Sequence, residues 1–284
     1  MLEYLFNPFL EFEFMRRSLL GCLLLSIGAA PVGVFLMLRK MSLTGDAMAH
    51  AILPGAATGF LIAGFSVSAM TIGGLVAGCL IALLSGISAR KTSTSEDSSL
   101  AAFYLISLSL GVMIISLKGS NVDLLHFLFG STLALDNAAL TLLTSVSLIT
   151  LISFTLLYRA LVLECVDSEF LRSVSKVSPI AHYAFLVLVV LNLVSGFQAL
   201  GTLMSVGLMI LPGAISRFWV RQLEPMIALA CLLAFAACVI GLLASYYIRL
   251  PTSPTIILSL GFAYLFSVVF GRNKGLLTQK TSFN

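Results

Sequence analysis

Residues 17–38 read RSLLGCLLLSIGAAPVGVFLML, and no Asp, Glu, Lys or Arg lies between Arg17 and Arg39. Such a run is long enough to cross the ~30 Å hydrocarbon core of a bilayer as one helix. Inside lipid the backbone must satisfy its own N–H and C=O groups, so the run is helical. Comparable runs follow at 44–65, 68–88, 99–117, 138–158, 180–197, 199–219, 225–247 and 254–270. The expected fold is therefore all-α and polytopic. It has eight to nine transmembrane helices in a single membrane domain over residues 1–284. Between the second and third runs only Gly64-Phe65-Ser66 is left for a tight turn. The run at 199–219 contains Gly201, Gly207, Pro212 and Gly213 and is expected to be broken or kinked.

Composition agrees. Of 284 residues, 59% are apolar and 10% are Asp, Glu, Lys or Arg, against about 25% charged in a soluble domain. A soluble fold of this length could not cover its surface with so few charges. The five cysteines, Cys22, Cys79, Cys165, Cys231 and Cys238, include no CxxC and point to no disulfide framework. The N-terminus carries Glu3, Glu11 and Glu13 before Arg16-Arg17. It is not patterned as a cleavable signal, and residues 1–16, with four phenylalanines among the acids, read as an interfacial segment.

Basic residues set the expected orientation. With the N-terminus outside, 12 of the 16 Lys and Arg fall on the cytoplasmic side: Arg39, Lys40, Arg90, Lys91, Arg159, Arg172, Lys176, Arg217, Arg221, Arg272, Lys274 and Lys280. Arg16, Arg17, Lys118 and Arg249 fall outside. The C-terminus is then cytoplasmic. Two hydrophilic connections, 89–98 and 159–178, face the cytoplasm. The second is amphipathic, with Leu161, Val162, Cys165 and Val166 against Glu164, Asp167 and Glu169. It suits either an ordinary loop or a short helix docking on a cytoplasmic partner. On the outer side, 118–136 contains Asp123, His126 and an apolar Phe127-Leu128-Phe129.

Ionisable groups inside spans mark pathways or cavities, and here they are few. Asp46 and His50 stand four residues apart and so share one helix face. A carboxylate with an imidazole suits Mn, Zn or Fe. Pro54 lacks an N–H, which deprives the His50 carbonyl of its helical partner. Gly45, Gly55 and Gly59 allow a neighbour to approach closely. A plain buried Asp–His contact is the simpler alternative. Gly201 and Pro212 are the other candidate kink or gate positions. No GxxxxGK[ST] phosphate loop, HExxH or GxSxG occurs, and basic residues form no stripe. The chain is thus not expected to be an enzyme, to bind nucleic acid, or to hold a tight cofactor.

The stretch Leu43-Thr44-Gly45-Asp46-Ala47-Met48-Ala49-His50-Ala51-Ile52-Leu53-Pro54-Gly55 resembles the GDAxxHAxLPG signature of the permease family of zinc, manganese and iron ABC importers. Further similarity runs along nearly the whole chain: Glu96-Asp97 before the fourth span, Asp123 to Gly130, Gly201 to Pro212, and Leu250-Pro251-Thr252-Ser253-Pro254-Thr255. The resemblance implies a multi-pass permease of the cytoplasmic (inner) membrane of a bacterium, one that moves a divalent transition-metal ion as two copies, or with a paralogue. Cytoplasmic ATP-binding subunits drive it and an extracytoplasmic metal-binding protein feeds it. It also implies that Asp167, Glu169 and Phe170 belong to the segment that couples to the ATPase. There the sequence departs from the family's Asp-Pro-Glu-Phe-Ala, reading Asp167-Ser168-Glu169-Phe170-Leu171 with no Gly in 173–178. That departure fits a partner-specific ATPase contact or a heterodimer. The competing function is a self-contained proton-coupled metal carrier, which would work without an ATPase. A membrane sensor is disfavoured by the lack of any sizeable soluble domain.

Overall fold

A computed structural model describes residues 2–64, 66–92, 95–117, 135–166, 170–171, 173, 175, 177–273 and 275–277. The described chain is all helix: α1 (Leu2–Glu11), α2 (Glu13–Leu38), α3 (Thr44–Ala51), α4 (Leu53–Ala63), α5 (Val67–Lys91), α6 (Glu96–Leu117), α7 (Asn137–Val166), α8 (Val177–Leu200), α9 (Thr202–Arg217), α10 (Leu223–Ile248) and α11 (Thr252–Phe270). Among the described residues, eight spans are long and apolar enough to cross a membrane, with α3 and α4 together making one of them. The expected run at 199–219 is the exception. α9 has 16 residues, about 24 Å at 1.5 Å per residue, which is short of a full crossing.

Two helices form the centre. α2 and α8 bury most of their apolar length, and they pack on each other and on α5, α7, α9 and α10. With lipid outside, hydrophobicity does not drive helices together, so close packing and polar contacts must. Both are present. Gly55 and Gly59 of α4 meet Gly73 and Ala69 of α5, and a Cβ at Gly55 or Gly59 would overlap the facing carbonyls. Gly64, at φ 65°, turns the chain between these two helices. Gly33 of α2 lies against the Met209 carbonyl of α9. Near the middle of α8, the buried Asn192 donates to Thr150 Oγ1 of α7 at 2.8 Å, and Ser147 Oγ donates to the Leu24 carbonyl of α2 at 2.9 Å.

The α2–α9 crossing yields a test. Gly33→Ala drives a methyl into the Met209 backbone and is expected to cost about 1–3 kcal/mol by overpacking. A thermal melt in detergent reads the loss. Gly261→Ala, with nothing near its Cβ position, is the control and should leave the melt unchanged.

Two boundaries differ from expectation. α2 begins at Glu13 rather than residue 17, because Glu13 and Arg17 pair one turn apart at 2.6 Å and extend the helix into the expected interfacial segment. The rest of that segment is α1, which packs on α2 and α10. α7 runs to Val166 rather than residue 158, so 159–166 is helix and not loop. The faces expected of that stretch hold for Leu161 but not for Glu164 or Val166. Leu161 and Glu164 point inward together, one turn apart, while Val166 is exposed.

Candidate functional site

α3 is short because of the residues that follow it. The helix stops at Ala51, turns at Ile52 and resumes as α4 with Pro54 in its first turn. The Ile52 N–H lies 3.2 Å from the Met48 carbonyl and also approaches that of His50. The His50 carbonyl is therefore released from its ordinary i+4 partner but not wholly bare. The neighbouring Ala51 carbonyl accepts from Ser107 Oγ of α6 at 2.9 Å. Gly111 of α6 lies beside the break, with a Cβ there only 3.1 Å from the Pro54 nitrogen. Small and hydroxylic side chains on α6 thus hold an interrupted helix, and sequence reading had not singled out Ser107 or Gly111.

The break separates two faces of α3. Ala47, Met48, Ala49 and Ala51 are buried, and Gly45 packs against Met209, Ile210 and Val206 of α9. Asp46 and His50 are on the other face, exposed from this chain. They are not buried in a contact with each other, so the simple Asp–His core pair does not hold. His50 stacks on Tyr104 of α6, with ring centroids 6.3 Å apart. Asp46 lines a cavity of about 190 Å³ shared with Asp97 and Tyr104 of α6. Among the described residues, no three His, Cys, Asp or Glu side chains converge on one point. Asp46 and His50 thus stand on an open face of α3.

The other candidates divide. Gly201 sits between α8 and α9 at φ 89°, ψ 163°, a conformation favouring glycine, and its carbonyl accepts from the Ser205 N–H and hydroxyl. It is a true joint. Pro212 lies inside α9, which continues unbroken through it, so it is not a break. Phe170 is 54% exposed beside the buried Leu171. Asp167 and Glu169 lie outside the described residues, as do Asp123, His126 and residues 127–129.

A second cluster was not foreseen. At the ends of α2, α5, α6, α7 and α8, the carboxylate of Glu164 is buried between two arginines. It pairs with Arg90 and lies 3.6 Å from Arg39. Ser178 Oγ donates to its second oxygen at 2.7 Å. Arg39 donates to His182 Nδ1 at 2.8 Å, and Glu96 stands 3.4 Å from the same nitrogen. The guanidinium groups of Arg39 and Arg90 also cover the rings of Phe185 and Tyr183. The available signal was the i, i+3 spacing of Leu161 and Glu164.

The ABC 3 transport family model matches residues 11–271. The manganese import system permease protein ScaB of Streptococcus gordonii is 30% identical over 95% of this chain and 96% of its own. The chelated iron transport system membrane protein YfeD of Yersinia pestis is 26% identical over 96% of this chain and 91% of its own. In three dimensions, PsaBC from Streptococcus pneumoniae, solved in complex with Fab, contains a chain that superposes with a TM-score of 0.82 at 28% identity. That match covers 99% of this chain and 100% of the other.

Proposed function

From the premise that the chain belongs to the ABC 3 transport family and is the membrane permease of a metal ABC importer, we propose that two copies carry a divalent transition-metal ion between facing α3 helices. The observation that carries this reading is the exposure of Asp46 and His50 on a helix that belongs to a candidate membrane span. A carboxylate facing hydrocarbon costs several kcal/mol, of order 3 or more on insertion scales, unless a polar cavity or partner covers it. A second copy placed across that face supplies both. Two Asp–His pairs then line one route, and the set stays under-saturated enough to release its ion. Carboxylate, imidazole and carbonyl ligands accommodate manganese and iron, the metals that the similar permeases are named for.

As an ABC permease the chain works with an ATPase partner. We place the coupling contact at Phe170 and its neighbours, and feeding by an extracytoplasmic metal-binding protein on the opposite side. No tightly bound cofactor is needed, since the ion is cargo. In this reading the N-terminus faces outward, the C-terminus is cytoplasmic, and the membrane is the bacterial cytoplasmic membrane.

The experiment is reconstitution. Proteoliposomes holding the permease, its ATPase and the binding protein should take up manganese only with ATP. Omitting the ATPase should abolish uptake. Uptake by the permease alone, driven by a proton gradient, would instead establish the secondary carrier.

Orientation has its own test. In a chain otherwise free of cysteine, Ser95→Cys and Ser173→Cys should resist an impermeant thiol reagent in intact cells and react after lysis. Ser95 and Ser173 are both exposed, so labelling in intact cells would reverse the assigned sidedness.

A further inference from the structure

We propose that Tyr104 of α6 is a positioning residue for the transported ion. The flat face of its ring fixes the plane of the His50 imidazole, and its hydroxyl takes no part. The inference rests on the Asp46–His50 route of the preceding section and names what aims one of its two ligands.

The need arises at His50 itself. It lies on the exposed face of α3, in the last turn of that helix, so core packing does not lock its ring. A histidine that ligates a metal almost always donates its other ring N–H to a carboxylate, a carbonyl or a water, and that bond sets the ring's orientation. Among the described residues, no group forms a hydrogen bond with His50. What its ring meets instead is Tyr104, with centroids 6.3 Å apart and planes 30° from parallel. That separation is within the range over which aromatic rings stack. A near-parallel face restricts rotation of the imidazole about its last side-chain bond. This is the freedom that a hydrogen bond would otherwise remove.

Tyr104 can do this because α6 holds it in register. Leu100, Tyr104, Ser107 and Gly111 follow one another at helical spacing and form one stripe of α6. Leu100 and Ser107 are buried. Tyr104 is half-buried and packs against the core. Gly111 lies against Pro54, beyond the break in the second span. The Ser107 hydroxyl donates to the Ala51 carbonyl at 2.9 Å, so α6 is pinned to α3 at the residue next to His50. Of the four, Tyr104 is the one whose ring reaches a proposed ligand; the others hold the interrupted helix against which it is aimed. Stacking also suits a site that must let its ion go. A hydrogen bond from a carboxylate would raise the basicity of the imidazole, whereas a ring face orients it without adding charge. Weak enough binding to permit release is what a transport site requires.

Two substitutions separate aiming from space-filling. Tyr104→Phe keeps the ring and drops the hydroxyl; Tyr104→Leu keeps apolar bulk and drops the flat face. The test is ATP-driven Mn2+ uptake by the full importer in proteoliposomes, resolved into KM and maximal rate. It is joined by electron paramagnetic resonance of Mn2+ bound to the same complexes. Tyr104→Leu should raise the KM for Mn2+ by about tenfold or more, because changing a group that orients a ligand costs about 10–100-fold in affinity or activity. It should also weaken the coupling of the bound ion to imidazole nitrogen. Tyr104→Phe should keep both the parental KM and the coupling. Should Tyr104→Leu fail to assemble, Tyr104→Met is the second probe, with the same expectation. A parental KM in the assembled Leu or Met variant would overturn the inference, since bulk alone would then suffice. So would a Tyr104→Phe as impaired as Tyr104→Leu, since the hydroxyl would then be the acting group. Failure of the underlying route shows differently: His50→Ala would take up Mn2+ at the parental rate, and this inference would fall with it. An inert His50→Ala beside a normal Tyr104→Leu would remove the positioning role alone.

Discussion

Asp46→Asn and His50→Ala are each expected to abolish metal uptake while leaving the importer assembled and able to bind ATP. Both side chains are on the exposed face of α3, so neither substitution opens a hole in the core. Burial on the opposite face, by Ala47, Met48, Ala49 and Ala51, is untouched. What is lost is a ligand, and in a route with few ligands per copy one missing group removes much of the site. In a dimer each change is made twice, so the effect is compounded. The check is ATP-driven uptake in proteoliposomes, with complex formation followed by size-exclusion chromatography. Uptake at the parental rate by both assembled variants would reduce the pair to a surface feature.

Glu164→Ala is expected to destabilise the permease by about 3–5 kcal/mol, the cost of removing one partner from a buried ion pair. The Glu164 side chain is 1% exposed, and it faces Arg90 and Arg39, themselves 9% and 7% exposed. Removing the carboxylate leaves two guanidinium charges in one buried pocket and takes away the acceptor of Ser178. Nor can Arg39 turn readily to another acceptor, for its Nη1 already lacks one. Glu164→Gln keeps the shape and one oxygen acceptor, and should lose less. Thermal melts of the two variants in detergent check the order. Equal melts for Glu164→Ala and the parent would mean that water enters the cluster and screens it. The position matters for function as well as stability. Glu164 closes the last turn of α7 and Ser178 opens the first turn of α8. The clamp therefore holds both helices that flank the proposed coupling segment.

Most of the fold was legible in the apolar runs, because in a bilayer a run of sufficient length has few options besides a helix. The break in the second span was legible too, since Pro54 cannot donate to the carbonyl four residues back. What escaped was of two kinds. The length of α7 and the inward turn of Glu164 depend on Arg90 and Arg39, which are remote in sequence. As isolated charges near span ends, these three look like ordinary cytoplasmic residues. The support of the α3–α4 break by Ser107 and Gly111 likewise exists only once α6 packs there. Asp46 and His50 were legible as a pair on one face, but not which way that face points. The buried alanines and Gly45 decide that, through their contacts with α9 and the core. Pro212, the other proline singled out, shows the converse. A proline often interrupts a helix, yet α9 carries it unbroken, with Gly213 and Gly33 letting α2 pack closely alongside.

The central claim is that the transported ion is held by Asp46 and His50, and the most direct measurement looks at the ion's own ligands. The chain has three histidines, His50, His126 and His182. With isotope-labelled histidine in the permease alone, and unlabelled partners, manganese(II) trapped in the assembled importer can be examined by pulsed electron paramagnetic resonance. The account predicts a coupling to labelled imidazole nitrogen that disappears in His50→Ala and persists in His182→Gln. A trapped ion with no labelled nitrogen coupling, or a coupling that survives His50→Ala, would contradict it.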